Sequence, residues 1–281
     1  MKRCALKVLS CGSCRHPEIM TRKDASFKIA DFPSYVGLIE HPDEGVILFD
    51  TGYDPAFLQA TQSFPERLYR WTTPVHLNKG ESAIEQLQKN GYSEDDVRAI
   101  IISHFHGDHV AGIHHFKNAK LFCSKAGHKY VRELSRFKQV RRGILSSLLP
   151  DDIESRSSHF EDCKSVSLPA EFSPFVDAVD LLGDGSLLAV ELPGHCPGHW
   201  GLALRTEQDR FVFLIADAAW SITAVENNTP PPKITMALLG SSAQFYQTLN
   251  SLHGLSEAGR DLDILPSHCK KAVTRYQGGG L

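Results

Sequence analysis

The run Ser103-His104-Phe105-His106-Gly107-Asp108-His109 follows directly on the apolar segment Ala99-Ile100-Ile101-Ile102 and puts four potential metal ligands into six residues. A short β-branched run of this kind reads as a buried strand, and a strand end is where side chains from one stretch of chain can be made to converge. Imidazole and carboxylate together suit a borderline cation such as zinc. The feature therefore calls for a sheet that delivers ligands at its edge. Three further candidates occur in the same setting. His195 closes Leu192-Pro193-Gly194-His195, Asp217 follows the apolar run 211–216, and His268 follows Ile264-Leu265-Pro266-Ser267. Five histidines and two aspartates suit two adjacent cations that share a bridging carboxylate and leave room for a water.

Strands are expected at 6–10, 35–40, 45–50 and 98–102, with Pro42-Asp43-Glu44-Gly45 turning a hairpin and a helix over 82–90 closed by Gly91. A second half offers strands at 187–192, 201–205, 211–216 and 262–265, and a helix over 241–253 that Gly254 would end. Two halves with ligands at the carboxyl ends of strands predict an α/β fold: two sheets face to face, helices outside and one site at the shared edge. Two stretches, 53–80 and 123–185, stand outside the repeat. The second begins with a basic helical run over 125–142, holding Lys125, Lys129, Arg132, Arg136, Lys138, Arg141 and Arg142 against Glu133 alone. It reads as a solvated helix face.

With 281 residues, 42% hydrophobic and 22% charged, the chain has the composition of an ordinary globular protein. A net charge of −3 gives no general electrostatic reason to expect nucleic acid. No apolar run approaches the roughly 20 residues that span a bilayer, so no membrane partner is expected. Lys7 interrupts a stretch already too short for a signal sequence, and seven scattered cysteines fit a reducing compartment, so cytoplasm is the expected location. Cys11-Gly12-Ser13-Cys14 lacks a second cysteine pair, and Cys196 and Cys269 read as packing residues beside His195 and His268.

The motif His104-x-His106-x-Asp108-His109, taken with Phe49-Asp50-Thr51-Gly52 and Ser267-His268, resembles the metallo-β-lactamase superfamily over nearly the whole chain. The resemblance implies a single domain over 1–281 with the αββα four-layer sandwich, in which 53–80 and 123–185 are insertions on the substrate side. It implies that His104, His106 and His195 hold one metal, that Asp108, His109 and His268 hold a second, and that Asp217 bridges. Two cations about 3.5–4 Å apart would bring the pKa of a shared water from about 16 toward neutrality, making a bridging hydroxide the expected nucleophile. Asp108 is expected to carry a proton to the leaving group. Asp50 and His199 are expected behind the ligands, Asp50 as partner of a ligand imidazole and His199 bonded to backbone. Zinc is the first expectation for both ions; iron, manganese and cobalt stay open. His114 and His115 read as surface or packing residues.

The same centre serves many reactions, so residues outside it must select the substrate. Histidine-rich sites with a bridging aspartate resemble the N-acyl homoserine lactonases and glyoxalase II, and chain length favours the lactonases. A lactonase opening an acyl homoserine lactone or an aryl-substituted ester is the expected function, with a role in quorum quenching. A glyoxalase II-like thioesterase is the alternative, followed by a phosphodiesterase or a non-catalytic ligand-binding member. Lactonases of this group commonly carry tyrosine three residues after the bridging aspartate; this chain has Trp220. Its area suits an apolar substrate body, and Phe57, Phe64, Tyr69 and Trp71 are candidates to extend the same wall. The partner is thus a small-molecule ester, and the oligomeric state stays open, a homodimer among the options.

Overall fold

The apolar segment before the ligand run is a central parallel strand. In the computed structural model, which describes residues 1–278, the chain divides into two units. The first, Leu6–His16 with Asp31–His159, is built on strands β1 (Arg3–Pro17), β2 (Ile29–His41), β3 (Gly45–Phe49), β4 (Val75–His76), β5 (Val97–Ile101), β6 (Lys120–Cys123) and β7 (Ser157–His159). They are ordered β7-β6-β5-β3-β2-β1, with β4 against β1. Strands β2 and β3 form the expected hairpin, and β3, β5, β6 and β7 run parallel. Val46, Ile47, Leu48 and Phe49 of β3, like Val97, Ala99, Ile100 and Ile101 of β5, are all buried. Strands this apolar, interrupted in β5 by exposed Arg98 alone, belong to a parallel sheet covered on both faces, and each large side chain buried contributes about 1.5–3 kcal/mol.

Parallel strands need a crossover, and here it contains the helix Ala83–Lys89. Its start is set by a capping box, in which the Ser82 amide and hydroxyl both donate to Glu85 Oε2 at 3.3 and 2.7 Å. Gly91, at φ 86°, follows its end as expected. Because β3 and β5 run the same way, the segments leaving them, Asp50-Thr51 and Ile102 to His109, emerge at one edge of the sheet.

The second unit comprises Met1–Ala5, Pro17–Ala30 and the chain from Phe160 onward. Its strands β8 (Lys164–Ser167), β9 (Asp177–Asp180), β10 (Leu187–Glu191), β11 (Trp200–Thr206) and β12 (Phe211–Ala216) form an antiparallel series, and β13 (Leu262–Pro266) runs parallel to β12. Arg3 and Cys4 at the start of β1 pair with Arg205 and Thr206 of β11. Strands β10, β12 and β13 share a direction, so His195, Asp217 and His268 follow strands that end on one side.

Three expectations are corrected. The helix Ser242–Glu257 does not stop at Gly254. One glycine inside a helix costs about 1 kcal/mol, and continuing the helix buries Leu255; the chain turns instead at Gly259, φ 59°. The basic run over 125–142 is two helices, Lys125–Glu133 and Arg136–Arg141, with Ser135 at the second N-cap. Residues 123–185 are more regular than expected, since they supply β7, β8 and β9. Among the described residues, no helix is long and apolar enough to cross a membrane.

Candidate metal centre

In the first unit, the four candidate ligands of the motif are all buried, on the loop after β5 and the short helix Gly107–Val110. The rings of His106 and His109 lie 4.5 and 4.0 Å from that of His104. Asp50, leaving the parallel neighbour β3, holds this group from behind. Its Oδ1 accepts from the Ser103 amide at 2.8 Å, and its Oδ2 accepts from the Ser103 hydroxyl and from His109 Nδ1, both at 2.7 Å. A carboxylate only accepts, so His109 carries its proton on Nδ1 and leaves the Nε2 lone pair for a cation. The Ser103 hydroxyl uses its one hydrogen in the bond to Asp50, so at 3.0 Å its oxygen can only accept from His104 Nδ1, which leaves His104 Nε2 in the same state.

Backbone clamps complete the support. The Thr51 amide and hydroxyl both donate to the His109 carbonyl, at 2.8 and 3.0 Å, while the same hydroxyl accepts from the Gly112 amide at 3.1 Å. The Ser34 hydroxyl donates to the Asp108 carbonyl at 2.8 Å. Gly52, at φ 68°, is required in this turn, because a Cβ there would lie 2.3 Å from Cys11 Cβ. Ser34, Thr51 and Ser103 were missed by sequence reasoning. Two of them had a signal: Thr51 lies inside the Asp-Thr-Gly run, and Ser103 is a hydroxyl directly before the first motif histidine.

In the second unit, Asp217 stands between two imidazoles. Its Oδ1 lies 3.2 Å from His268 Nε2, and its Oδ2 lies 3.3 Å from His195 Nε2. The strand before it is irregular in the way such placement requires: pairing with β13 shifts register between Leu214 and Ala216, and Ala216 adopts φ 46°. A bulge of this type re-aims the next side chain, at a cost in backbone strain. His199 secures the result, with Nδ1 donating to the Leu192 carbonyl and Nε2 accepting from the Asp217 amide, each at 3.0 Å. Gly194 admits a close crossing beside His195, since a Cβ there would sit 2.2 Å from the Phe245 amide nitrogen.

Trp220 is placed by this same carboxylate. Its indole N–H donates to Asp217 Oδ2 at 2.9 Å, and its buried ring meets those of His195 and Phe245. Trp220→Phe keeps most of that packing and removes the donor. Loss of a hydrogen bond behind a ligand typically weakens metal retention by about 10–100-fold, and the lower end is expected here, measured by competition with a chromogenic chelator. Unchanged retention would reduce the indole to a packing role.

The remaining aromatic candidates separate. Phe57 is fully buried and Tyr69 packs edge-on against it at 5.2 Å; a Cβ on Gly107 would meet them at 2.8 and 3.4 Å, so this pair lies directly under the motif helix. Phe64 is 63% exposed and paired with Phe137, and Trp71 is 65% exposed. Burial first, then the Asp217 charge, pushes the Cys196 thiol well above its ordinary range. Cys269 Sγ accepts from the Ile222 and Ala272 amides at 3.2 and 3.4 Å. Cys269 thus caps the helix that follows it, and Cys196 is buried. These donor sets of imidazole and carboxylate, in which His104 and His109 are held through Nδ1, fit a divalent first-row metal.

Residues 29–214 match the Metallo-beta-lactamase superfamily. The N-acyl homoserine lactonase AttM of Rhizobium radiobacter is 24% identical over 203 residues, which is 72% of this chain and 69% of AttM. A mutant of Bacillus thuringiensis AiiA, solved with N-decanoyl-L-homoserine bound at its active site, superposes with a TM-score of 0.74 at 19% identity, covering 96% of this chain and 95% of that one. AidC, a dizinc quorum-quenching lactonase solved with a product, superposes at 0.65 and 16% identity over 96% and 90% of the two chains.

Proposed function

Because the chain belongs to the metallo-beta-lactamase superfamily, we propose that it is a metal-dependent hydrolase that opens a lactone bearing an acyl or aromatic substituent. The observation that carries this reading is Asp217, one carboxylate whose two oxygens face two different imidazoles at 3.2 and 3.3 Å. A carboxylate shared in this way is what a pair of cations requires. His104, His106, Asp108, His109, His195, Asp217 and His268 are the proposed ligands of two divalent ions, zinc first. When bound, such ions polarise an ester carbonyl and make water nucleophilic at neutral pH.

The chain's own residues do the rest. Asp50 and Ser103 fix the His109 and His104 tautomers, so that the lone pairs are presented without a competing proton. His199 and Trp220 hold Asp217 by its amide and its Oδ2. Asp108, whose carbonyl is tied by Ser34, carries the proton from the attacking water to the leaving alkoxide, turning the ring oxygen into a free hydroxyl. The lactone class is supported by the curated relative AttM and by the homoserine ligand in the AiiA mutant structure.

The test is pH-monitored hydrolysis by metal-replete protein, with a chelated control. Acyl homoserine lactones of several chain lengths, an aryl lactone and an acyl-glutathione thioester make the panel. Chelator-sensitive acid release from a lactone, with kcat/KM of about 10⁴ M⁻¹s⁻¹ or more, is expected. Turnover of the thioester with silence on lactones would replace this reading by the thioesterase.

A further inference from the structure

A second cluster of ligand-type side chains lies apart from those seven residues, within the first unit. Asp54 is 2% exposed, yet among the described residues its ion-pair partners are two imidazoles and no lysine or arginine. Its Oδ2 lies 2.9 Å from His115 Nε2, and its Oδ1 accepts from the Ala56 amide at 2.9 Å and lies 3.7 Å from His114 Nε2. His114 Nδ1 donates to the Ala111 carbonyl at 3.0 Å, so its lone pair is on Nε2, the nitrogen that faces Asp54. Burial, then the neighbouring His115, holds the His114 imidazole below its ordinary range, which keeps that lone pair available at neutral pH. Buried carboxylates are normally paired or bound to a metal; here the partners are the neutral His114 ring and the His115 Nε2–H, which donates to Oδ2 at 2.9 Å and whose proton an incoming metal displaces to solvent.

We propose that Asp54, His114 and His115 form a further, separate binding site for a first-row transition-metal dication, with its remaining coordination open to water. The spacing suits it: no two of the three donor atoms are more than 4.8 Å apart. At bond lengths of about 2.0–2.2 Å a tetrahedral edge is about 3.4 Å, and the observed 2.9 and 3.7 Å fall on either side of that value. Two imidazoles and one carboxylate select zinc, iron, cobalt or nickel over calcium and magnesium, which prefer all-oxygen sites. His114 and His115 are partly exposed, which gives an ion access from solvent.

The site has a structural consequence for the motif. Asp54 ends the turn that begins at Asp50, and His115 ends the segment that begins at His109; Thr51 already ties the two segments through the His109 carbonyl and the Gly112 amide. An ion held by Asp54 and His115 braces the same two segments a second time.

The experiment adds zinc chloride to protein already loaded with metal and removes weakly held ion by gel filtration. Bound metal is then counted by elemental analysis. The wild type is expected to retain one equivalent more than the double variant His114→Gln, His115→Gln. Asp54→Asn, which keeps an oxygen to cap the following helix, should lose the same equivalent and guards against misfolding of the double variant. The difference of one equivalent is independent of how many ions the seven other ligands hold, so it stands or falls apart from the proposed function. Equal counts in wild type and either folded variant would overturn the site and leave the cluster as an ion pair.

Discussion

Asp217→Ala is expected to lower kcat/KM on a lactone by about three orders of magnitude and to leave the protein unable to retain its full metal complement. Lewis-acid stabilisation is worth several kcal/mol, and each 1.36 kcal/mol is a factor of ten. The substitution removes both oxygens that face His195 and His268, and excess metal in the assay cannot replace them. It also strands the buried Trp220 N–H, which costs about 1–3 kcal/mol of stability. His199 accepts from the Asp217 amide, so the backbone at 217 should hold its course and the variant should fold. Elemental analysis and kinetics on one preparation check both parts. A variant that keeps two ions and normal turnover would remove Asp217 from the centre.

That expectation rests on features the sequence made legible because they are local. A β-branched run followed at once by ligand-type residues fixes both the strand and the edge at which those residues appear, and the same logic placed His195, Asp217 and His268, whereas Asp50 came from the resemblance that its Asp-Thr-Gly turn carries. What stayed hidden depends on distant partners or on unusual backbone. Arg136 reads in sequence as part of a free basic run, but its guanidinium is committed to Glu66 and to the Phe64 carbonyl. Arg132 likewise pairs with Glu154. Neither acid is near enough in sequence to be paired by inspection. Trp220 reads as a substrate wall, and only the turn created by Ala216 at φ 46° shows that its N–H returns to the carboxylate three residues back. Gly254 reads as a stop because glycine often is one; burial of Leu255 decides otherwise.

Asp50→Asn is the sharpest test of the support behind the motif, because the substitution is neutral for the backbone. Asp50 sits at φ 63°, a region where asparagine is among the best tolerated side chains, so strain is unchanged. The hydrogen bonds are not. Three donors converge on the two carboxylate oxygens, two of them on Oδ2. An amide has one oxygen, and its NH₂ must face either the Ser103 amide or both His109 Nδ1 and the Ser103 hydroxyl. In the second orientation His109 is driven toward the tautomer with its proton on Nε2, where a metal would have to displace it. Metal affinity is therefore expected to fall by about 10–100-fold. Unlike Asp217→Ala, the loss should be recovered by excess metal, since every proposed ligand is still present. Chelator competition gives the affinity, and a titration of activity against added zinc gives the recovery. An Asp50→Asn protein with undiminished affinity would show that the His109 contact orients nothing. One that stays inactive at saturating metal would instead give Asp50 a part in the reaction itself.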